Sequence, residues 1–533
     1  MNTRPILKNK YYLYITEFFA GVSVMAVELG ASRLLAPYFS SSQIVWTIII
    51  GTIMIAMALG NLWGGRMADK DPNTDRLYRR LLIAAIWIAA IPVLGKYIIL
   101  GISGLLVLTV STNFLTLAAF CACIVLFVFP LFLLGTVTPS LVKYTMDSME
   151  DSGRTVGTLG ACNTIGSILG TFLPTFVTIP AVGTAITFLI FSGILLVISL
   201  LYFISSRVRA KTCVASLVLF ALCSVLGTGS SFAFWENRLL YEGESVYNYL
   251  QVKDQKDRVI LSTNVLFGVQ SVKMKEEGLT GMYYDYALAA PVMAGIPQKA
   301  QPKILVLGNG TGTYAYQCTS YFPKAQVDGV EIDDKITRLA DQYFDLPQTV
   351  NVTTYDGRAY LQGVDTQYDV ILVDAYQDIT IPFQMSSVEF FTLVRDHLSP
   401  GGVLAVNLNL HSDGEGSINQ ALCDTIASIF PHVYTVDVPY TSNRELFAAQ
   451  DGDPAQWLLE NQGQLQNEDL RQHLEIVSQT LEPYTGKGTI LTDDRAPVEL
   501  LGMRAIDGLI QNELAYYQNL YRTKGISGLL NQF

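Results

Sequence analysis

The sequence predicts a multidomain chain: an α-helical transmembrane bundle of about seven spans, then a small β-subdomain, then a Rossmann-like α/β domain. Three observations predict it. Half of the 533 residues are hydrophobic and only 15% are charged, with a mean hydropathy of +0.33, too apolar for one soluble unit. Charge divides at residue 231, with 15 Lys and Arg against 8 Asp and Glu before it and 20 against 38 after it. Beyond residue 300, strand-like apolar runs alternate with helical ones, the pattern of a mainly parallel sheet covered on both faces.

A bilayer crossing needs about 20 mostly apolar residues. Seven segments qualify, at 12–36, 43–66, 81–102, 114–136, 158–179, 184–205 and 212–231. The start carries Arg4, Lys8 and Lys10, but the apolar run behind them is long and has no small-residue cleavage site, so no cleavable signal peptide is expected. Basic residues mark alternate loops, at 66–80, 137–157 and 206–211, which places those loops in the cytoplasm. An odd number of spans then puts the acidic half outside. Within the first span, Glu17 and Glu28 lie three helical turns apart on one face with Arg33 beyond them. They are either a cation or substrate path or a polar contact that fixes helix packing. Gly60, Gly64, Gly65, Gly157, Gly160, Gly166 and Gly170 are expected to let helices approach closely. Residues 64–70 resemble a loop motif of major facilitator transporters, but seven spans are too few for a complete member.

The boundaries expected are 1–231 for the bundle, 232–300 for the β-subdomain, 301–451 for the α/β domain and 452–533 for a C-terminal extension. Short strands are predicted at Ser245 to Val252, Arg258 to Ser262 and Gly268 to Met274. The α/β order follows: strand 304–308, helix 313–322, strand 326–331, helix 334–343, strands 351–355 and 369–374, helix 387–397, strand 403–409. The first strand runs into Gly308-Asn309-Gly310-Thr311-Gly312, and the second ends on Glu331. A strand feeding a glycine turn and a helix, with an acid about 20 residues on, is the pattern of a nucleoside site. Asp356 and Asp374 close the third and fourth strands, and a dinucleotide dehydrogenase has no special need for either.

The acidic half argues against nucleic acid as a partner and permits a cationic substrate. The seven cysteines are scattered without metal-ligand spacing, and the four histidines form no cluster, so no metal site is expected.

Residues 240–450 resemble the spermidine synthase group of class I S-adenosylmethionine-fold enzymes, built on the methyltransferase-type α/β fold, and the whole chain resembles its membrane-fused branch. The likeness rests on Phe267 to Ser271, Leu279 to Tyr286, the glycine turn, Val330 to Asp333, Asp356-Gly357-Arg358 and Val373 to Tyr376. Upstream, Glu28-Leu29 and Arg33 to Tyr38 match the branch's first helix. The resemblance implies that Glu331 holds the ribose hydroxyls and Asp356 the adenine amino group, that Asn248 and Gln270 line the thioadenosine pocket, and that Asp374 is the general base. Gly308, Gly310, Gly357 and Tyr376 belong to the same cofactor-binding set, and Pro382 to the loop over the adenine. Tyr283, Tyr284 and Asp285 are the candidate catalytic helpers.

Two departures stand out. Thr311 replaces the Asp usual in the family's glycine turn, and Gln377 replaces a second Asp three residues after the base, with Asp378 one place later. An Asp beside the carboxylate of intact S-adenosylmethionine would repel it by roughly 4 kcal/mol at 4 Å and an effective dielectric of 20. Thr311 removes that repulsion and offers a hydroxyl instead. The first reading is therefore a lyase that cleaves the Cγ–S bond of the intact sulfonium and releases methylthioadenosine without an amine acceptor. The second is aminopropyl transfer from the decarboxylated donor to putrescine or a related amine. A third makes the bundle a carrier and the acidic half a ligand sensor. No cofactor beyond the S-adenosylmethionine-type substrate is implied.

Partners expected are that small molecule, the lipid bilayer and, through the polar tail, a second copy of the chain. Leu509 to Leu530 reads as an amphipathic end segment. Localisation is the cell membrane. Loop charges put the α/β domain outside, while the supply of its ligand argues for the cytoplasm.

Overall fold

The computed structural model describes residues 6, 9–146, 152–265, 268–376, 381–409, 414–486 and 488–530. Arg4, Lys8, Phe267, Gln377 and Asp378 lie outside the described residues.

Among the described residues, six helices are long and apolar enough to cross a membrane: α1 (Lys10–Phe39), α2 (Gln43–Lys70), α3 (Thr74–Val107), Phe114–Thr145, Ser152–Ser205 and Ala210–Thr228. The expected segments 158–179 and 184–205 both fall in the fifth, which is broken at Gly183, where φ is 82° and ψ 168°. Thr187 Oγ1 donates to Thr178 Oγ1 at 2.9 Å across that break. In a continuous helix those residues would stand about 13 Å apart, so the element is a hairpin of two limbs.

The bundle is apolar on its outside and in its core, with a few polar groups buried within it. Met54, Leu62, Phe176 and Val225 are between 62% and 74% exposed, while Glu17 is 0% exposed. Thr138 Oγ1 and Asn163 Nδ2 donate to Glu17 Oε1 at 2.6 and 2.8 Å, tying α1 to two other helices. These bonds are a contact that fixes helix packing around Glu17. Gly60 lies on Phe132 O and Gly64 on Thr136, while Gly166 and Gly170 lie on the backbone of Phe18 and Val22, each too close for a Cβ. Gly157 and Gly160 have open space and Gly65 only a distant Pro139, so they are not packing glycines here. Residues 64–70 form the last turns of α2 rather than a loop, and Lys143 pairs with Asp69 at 3.0 Å.

The β-subdomain is an antiparallel sheet of β1 (Leu239–Glu244), β2 (Tyr249–Asp254), β3 (Arg258–Ser262) and β4 (Ser271–Met274) in the order 1-2-3-4. The strand expected from Ser245 is instead a turn at 245–248. Ser245 Oγ accepts the N–H groups of Tyr247 and Asn248 at 3.1 and 2.9 Å, a side-chain-built turn that alternation of apolar residues does not reveal.

The main sheet comprises β5 (Lys303–Leu307), β6 (Gln326–Glu331), β7 (Val350–Thr354), β8 (Tyr368–Val373), β9 (Leu398–Leu408), β10 (His432–Asp437), β11 (Arg444–Ala449) and β12 (Glu482–Pro483). Their order is 12-10-11-9-8-5-6-7. From β9 to β7 the strands are parallel, as the alternation predicted, and β10, β11 and β12 add an antiparallel edge that it did not. The strand order reverses between β5 and β8, the place where such sheets open a ligand crevice.

The last long helix, Val498–Leu530, lies against the bundle: Met503, Ile506 and Leu514 join its core, and Gln518 Nε2 donates to Val107 O at 2.9 Å. The C-terminal end of α1, the start of α2 and the Gly183 turn contact the globular half through Val265, Glu499 and Glu244. Along the chain, the basic loops fall at the opposite ends of these helices.

Candidate active site

A cleft of about 640 Å³ opens at the carboxyl ends of β5, β6 and β8. The glycine turn makes this possible. Gly308 has φ 86°, and a Cβ there would meet Asp374 O at 2.4 Å, so only glycine lets the end of β5 touch the end of β8. Gly310 has φ 53° and lies against Ser271 Oγ. Both line the cleft.

Glu331 stands at one end, 7% exposed. Gly310 N donates to its Oε2 at 2.8 Å and Asp333 N to its Oε1 at 3.0 Å. Burial outweighs these donors and pushes its carboxyl up to about 7. Ile332, Tyr355, Asp356, Gly357, Pro382 and Met385 line the wall beyond it. Asp356 also caps the helix Gly357–Gly363, its Oδ1 accepting Ala359 N at 2.8 Å. Arg358 of the same motif donates to Gln384 O at 2.9 Å and pairs with Asp493, which braces the loop that carries Pro382.

Asp374 stands at the floor. Tyr283 Oη donates to its Oδ2 at 2.7 Å, and Asn407 Nδ2 to its Oδ1 at 2.8 Å. Asn443 Nδ2 in turn donates to Asn407 Oδ1 at 2.9 Å. Burial pushes the Asp374 carboxyl up to about 7, against the two donors that favour its ionised form, and the Glu331 charge raises it further. A carboxylate poised there accepts a proton near neutral pH. Tyr376 lines the cleft, and its hydroxyl accepts Asn409 N at 3.0 Å.

The structure brings most of the expected residues together, and sets three apart from the cleft. Tyr284 lies beneath Tyr283, ring centroids 4.0 Å apart, and its hydroxyl donates to Gln270 O at 2.8 Å. Asp285 is 2% exposed and fully used in a local cap: it accepts Thr280 N, Thr280 Oγ1, Gly281 N and Gln317 Nε2. Neither group lines the cleft: Tyr284 packs on Tyr283, and Asp285 ties Thr280, Gly281 and Gln317 together. Thr311 is 2% exposed, its N–H donating to Ser271 Oγ at 3.0 Å and its hydroxyl buried without a partner. The hydroxyl expected to face the donor faces the core, because Gly310 and not Thr311 forms the lip of the turn. Asn248 and Gln270 do line the cleft.

Sequence reasoning missed the far wall: Asn407, Asn409 and the segment Tyr440 to Asn443. Tyr440 has φ 63° and is fully exposed at the mouth. The polar Asn407 and Asn409 at the end of an apolar strand were the available signal, whereas residues 440–443 had none. Also missed was Glu445, which is paired across β9 with Asn407 and 0% exposed, with neither oxygen hydrogen-bonded. Burial, and then the Asp374 charge, hold it well above the usual carboxyl range, as the neutral acid.

Comparison with known proteins gives four findings. Residues 288–451 match the spermine/spermidine synthase domain family. A probable polyamine aminopropyl transferase of Bifidobacterium longum is 54% identical over 352 residues, covering 62% of this chain and 77% of that protein. A polyamine aminopropyltransferase of Vibrio vulnificus is 29% identical over 303 residues, covering 53% of this chain and 97% of that protein. Among solved structures, a probable spermidine synthase from Corynebacterium glutamicum is 22% identical, covers 47% of this chain and 97% of that chain, and has a TM-score of 0.37.

Proposed function

The chain belongs to the polyamine aminopropyltransferase family, and from that premise we propose that it transfers an aminopropyl group from decarboxylated S-adenosylmethionine to an amine acceptor. The observation that carries this reading is Asp374, held between Tyr283 and Asn407 at the cleft floor with a carboxyl near 7. Glu331 takes the donor's ribose hydroxyls at one end and the wall from Asn407 to Asn443 holds the acceptor at the other. Asp374 accepts a proton from the acceptor's ammonium. The freed nitrogen lone pair attacks the propyl carbon bound to sulfur, the C–S bond breaks, and its electron pair returns to sulfur, which leaves as neutral methylthioadenosine.

Cleavage of the intact sulfonium without an amine is the weaker reading. Part of its support was Thr311, and that hydroxyl is buried away from the cleft; Gln377, the other part, lies outside the described residues. One assay separates the two: purified protein with each donor, with and without putrescine, products identified by mass. Aminopropyl transfer requires the decarboxylated donor and an amine together. Methylthioadenosine from the intact donor alone would favour the lyase, and nucleoside binding with no turnover the sensor.

By the rule that basic loops stay in the cytoplasm, the cleft lies on the outer face. A membrane-impermeant maleimide should then label Ser320→Cys, an exposed position, in intact cells. Labelling only after lysis would place the cleft inside.

A further inference from the structure

We infer that Arg33, on membrane helix α1, is a positioning residue for the donor: it holds the 245–248 turn and, through that turn, orients Glu331. The inference rests on the reading of Glu331 as the ribose-binding acid. Arg33 lies in the first-helix motif, yet its hydrogen bonds leave the bundle. Its guanidinium donates to Ser245 O at 3.4 Å and to Val246 O. A planar fork reaches two successive carbonyls, which an ammonium does not.

From that turn a chain of bonds runs to the cleft. Ser245, 4% exposed, donates through Oγ to Asp333 Oδ2, and Asn248 Nδ2 donates to the same oxygen at 3.3 Å. Asp333, 1% exposed, gives its N–H to Glu331 Oε1 and takes Lys335 N on Oδ1 at 3.1 Å. Tyr247 and Asn248 of the turn line the cleft themselves. The bundle grips the turn a second time through Glu244, whose carboxylate accepts Thr184 N at 2.6 Å and Thr184 Oγ1. Lys335 Nζ donates to Glu244 O at 2.6 Å. Two membrane elements and the Glu331–Lys335 segment therefore meet on five residues. The links from Ser245 to Asp333 and from Asp333 to Glu331 are buried hydrogen bonds, so displacing the turn removes a partner of Asp333 and loosens the hold of Asp333 N–H on Glu331 Oε1, leaving Gly310 N–H as the other support.

The test uses the full chain in detergent or nanodiscs, with methylthioadenosine binding by calorimetry and steady-state kinetics. Arg33→Ala should weaken methylthioadenosine binding and raise the donor KM roughly tenfold, the size of one hydrogen bond to a charged group, with kcat within about twofold. Arg33→Lys should recover part of the loss. Tyr38→Phe removes a different bond between α1 and the globular half, to Phe232 O, and should change neither value. If Arg33→Ala does not fold, Ser245→Ala, which cuts the link to Asp333 and leaves the bundle intact, should show the same KM effect. Wild-type affinity in Arg33→Ala or, where that variant does not fold, in Ser245→Ala would overturn the inference, as would an equal loss in Tyr38→Phe. A wild-type chain that binds no methylthioadenosine would overturn the donor reading itself, and is recognised because the defect precedes any substitution.

Discussion

The two ends of the cleft are built on opposite plans. At the donor end, Glu331 is held by N–H groups from its own strand end and from the glycine turn 21 residues back, all within the parallel part of the sheet. At the acceptor end, Asp374 is held by side chains that start far away in sequence: Tyr283, 91 residues back, and Asn407, 33 residues on, itself held by Asn443 a further 36 on. Backbone donors survive most substitutions, whereas a side-chain network fails when one member is lost. The acceptor end should therefore respond to mutation cooperatively, and the donor end only where the backbone that carries its donors is itself displaced, as at the 245–248 turn.

The largest break is expected at the floor. Asp374→Asn should lower kcat by about 10³-fold, within the range for removing a general base, while methylthioadenosine binding by calorimetry stays within a few-fold. Near-normal turnover would remove Asp374 from the base role. Next is Glu331→Gln, which under the proposed donor reading loses the charge assistance of two bonds to the ribose. Donor affinity should fall roughly tenfold to a hundredfold, with a smaller change in kcat at saturating donor; an effect confined to kcat would contradict the division of the cleft.

The pH profile sharpens the contrast. With Asp374 as the proposed base, active when ionised, kcat should rise with pH through about 7 and be lost as pH falls below it. Asn407 donates to the ionised form, so Asn407→Leu should move this limb to higher pH and lower activity at pH 7 roughly tenfold. Glu331, also near 7, affects donor binding, so kcat/KM for the donor should show an apparent value belonging to both acids. An unmoved limb in Asn407→Leu would show that the network does not tune the base. The smallest effect is expected at the mouth: Tyr440→Ala should raise the acceptor KM a few-fold, about 1 kcal/mol, and leave the donor KM unchanged.

Much of this was legible in the chain. The helix 334–343 and the strand 326–331 lie where periodicity placed them, because each is a strongly patterned segment with its own cap or turn. Glu331, Asp356 and Asp374 were findable because strand ends in a parallel sheet all point to one edge. The β2 boundary was not, since Ser245 builds a turn from its own hydroxyl inside an apolar-alternating stretch. Strands β10 and β11 escaped because they pair antiparallel on an edge that no helix-strand alternation announces.

The sequence by itself determined the long apolar helices, the parallel sheet and the glycine-turn end of the cleft, since hydrophobic length, strand alternation and a contiguous glycine turn are all local signals. Only the tertiary structure decided which polar groups meet. It turned Thr311 and Asp285 away from the cleft, brought Asn407 and Asn443 onto Asp374, and buried Glu445 beside them without a partner. It also placed Arg33 of the first membrane helix against the turn behind Glu331. These contacts join residues up to 213 positions apart, and the register that aligns them is set by packing of the whole sheet and bundle, which no local pattern encodes.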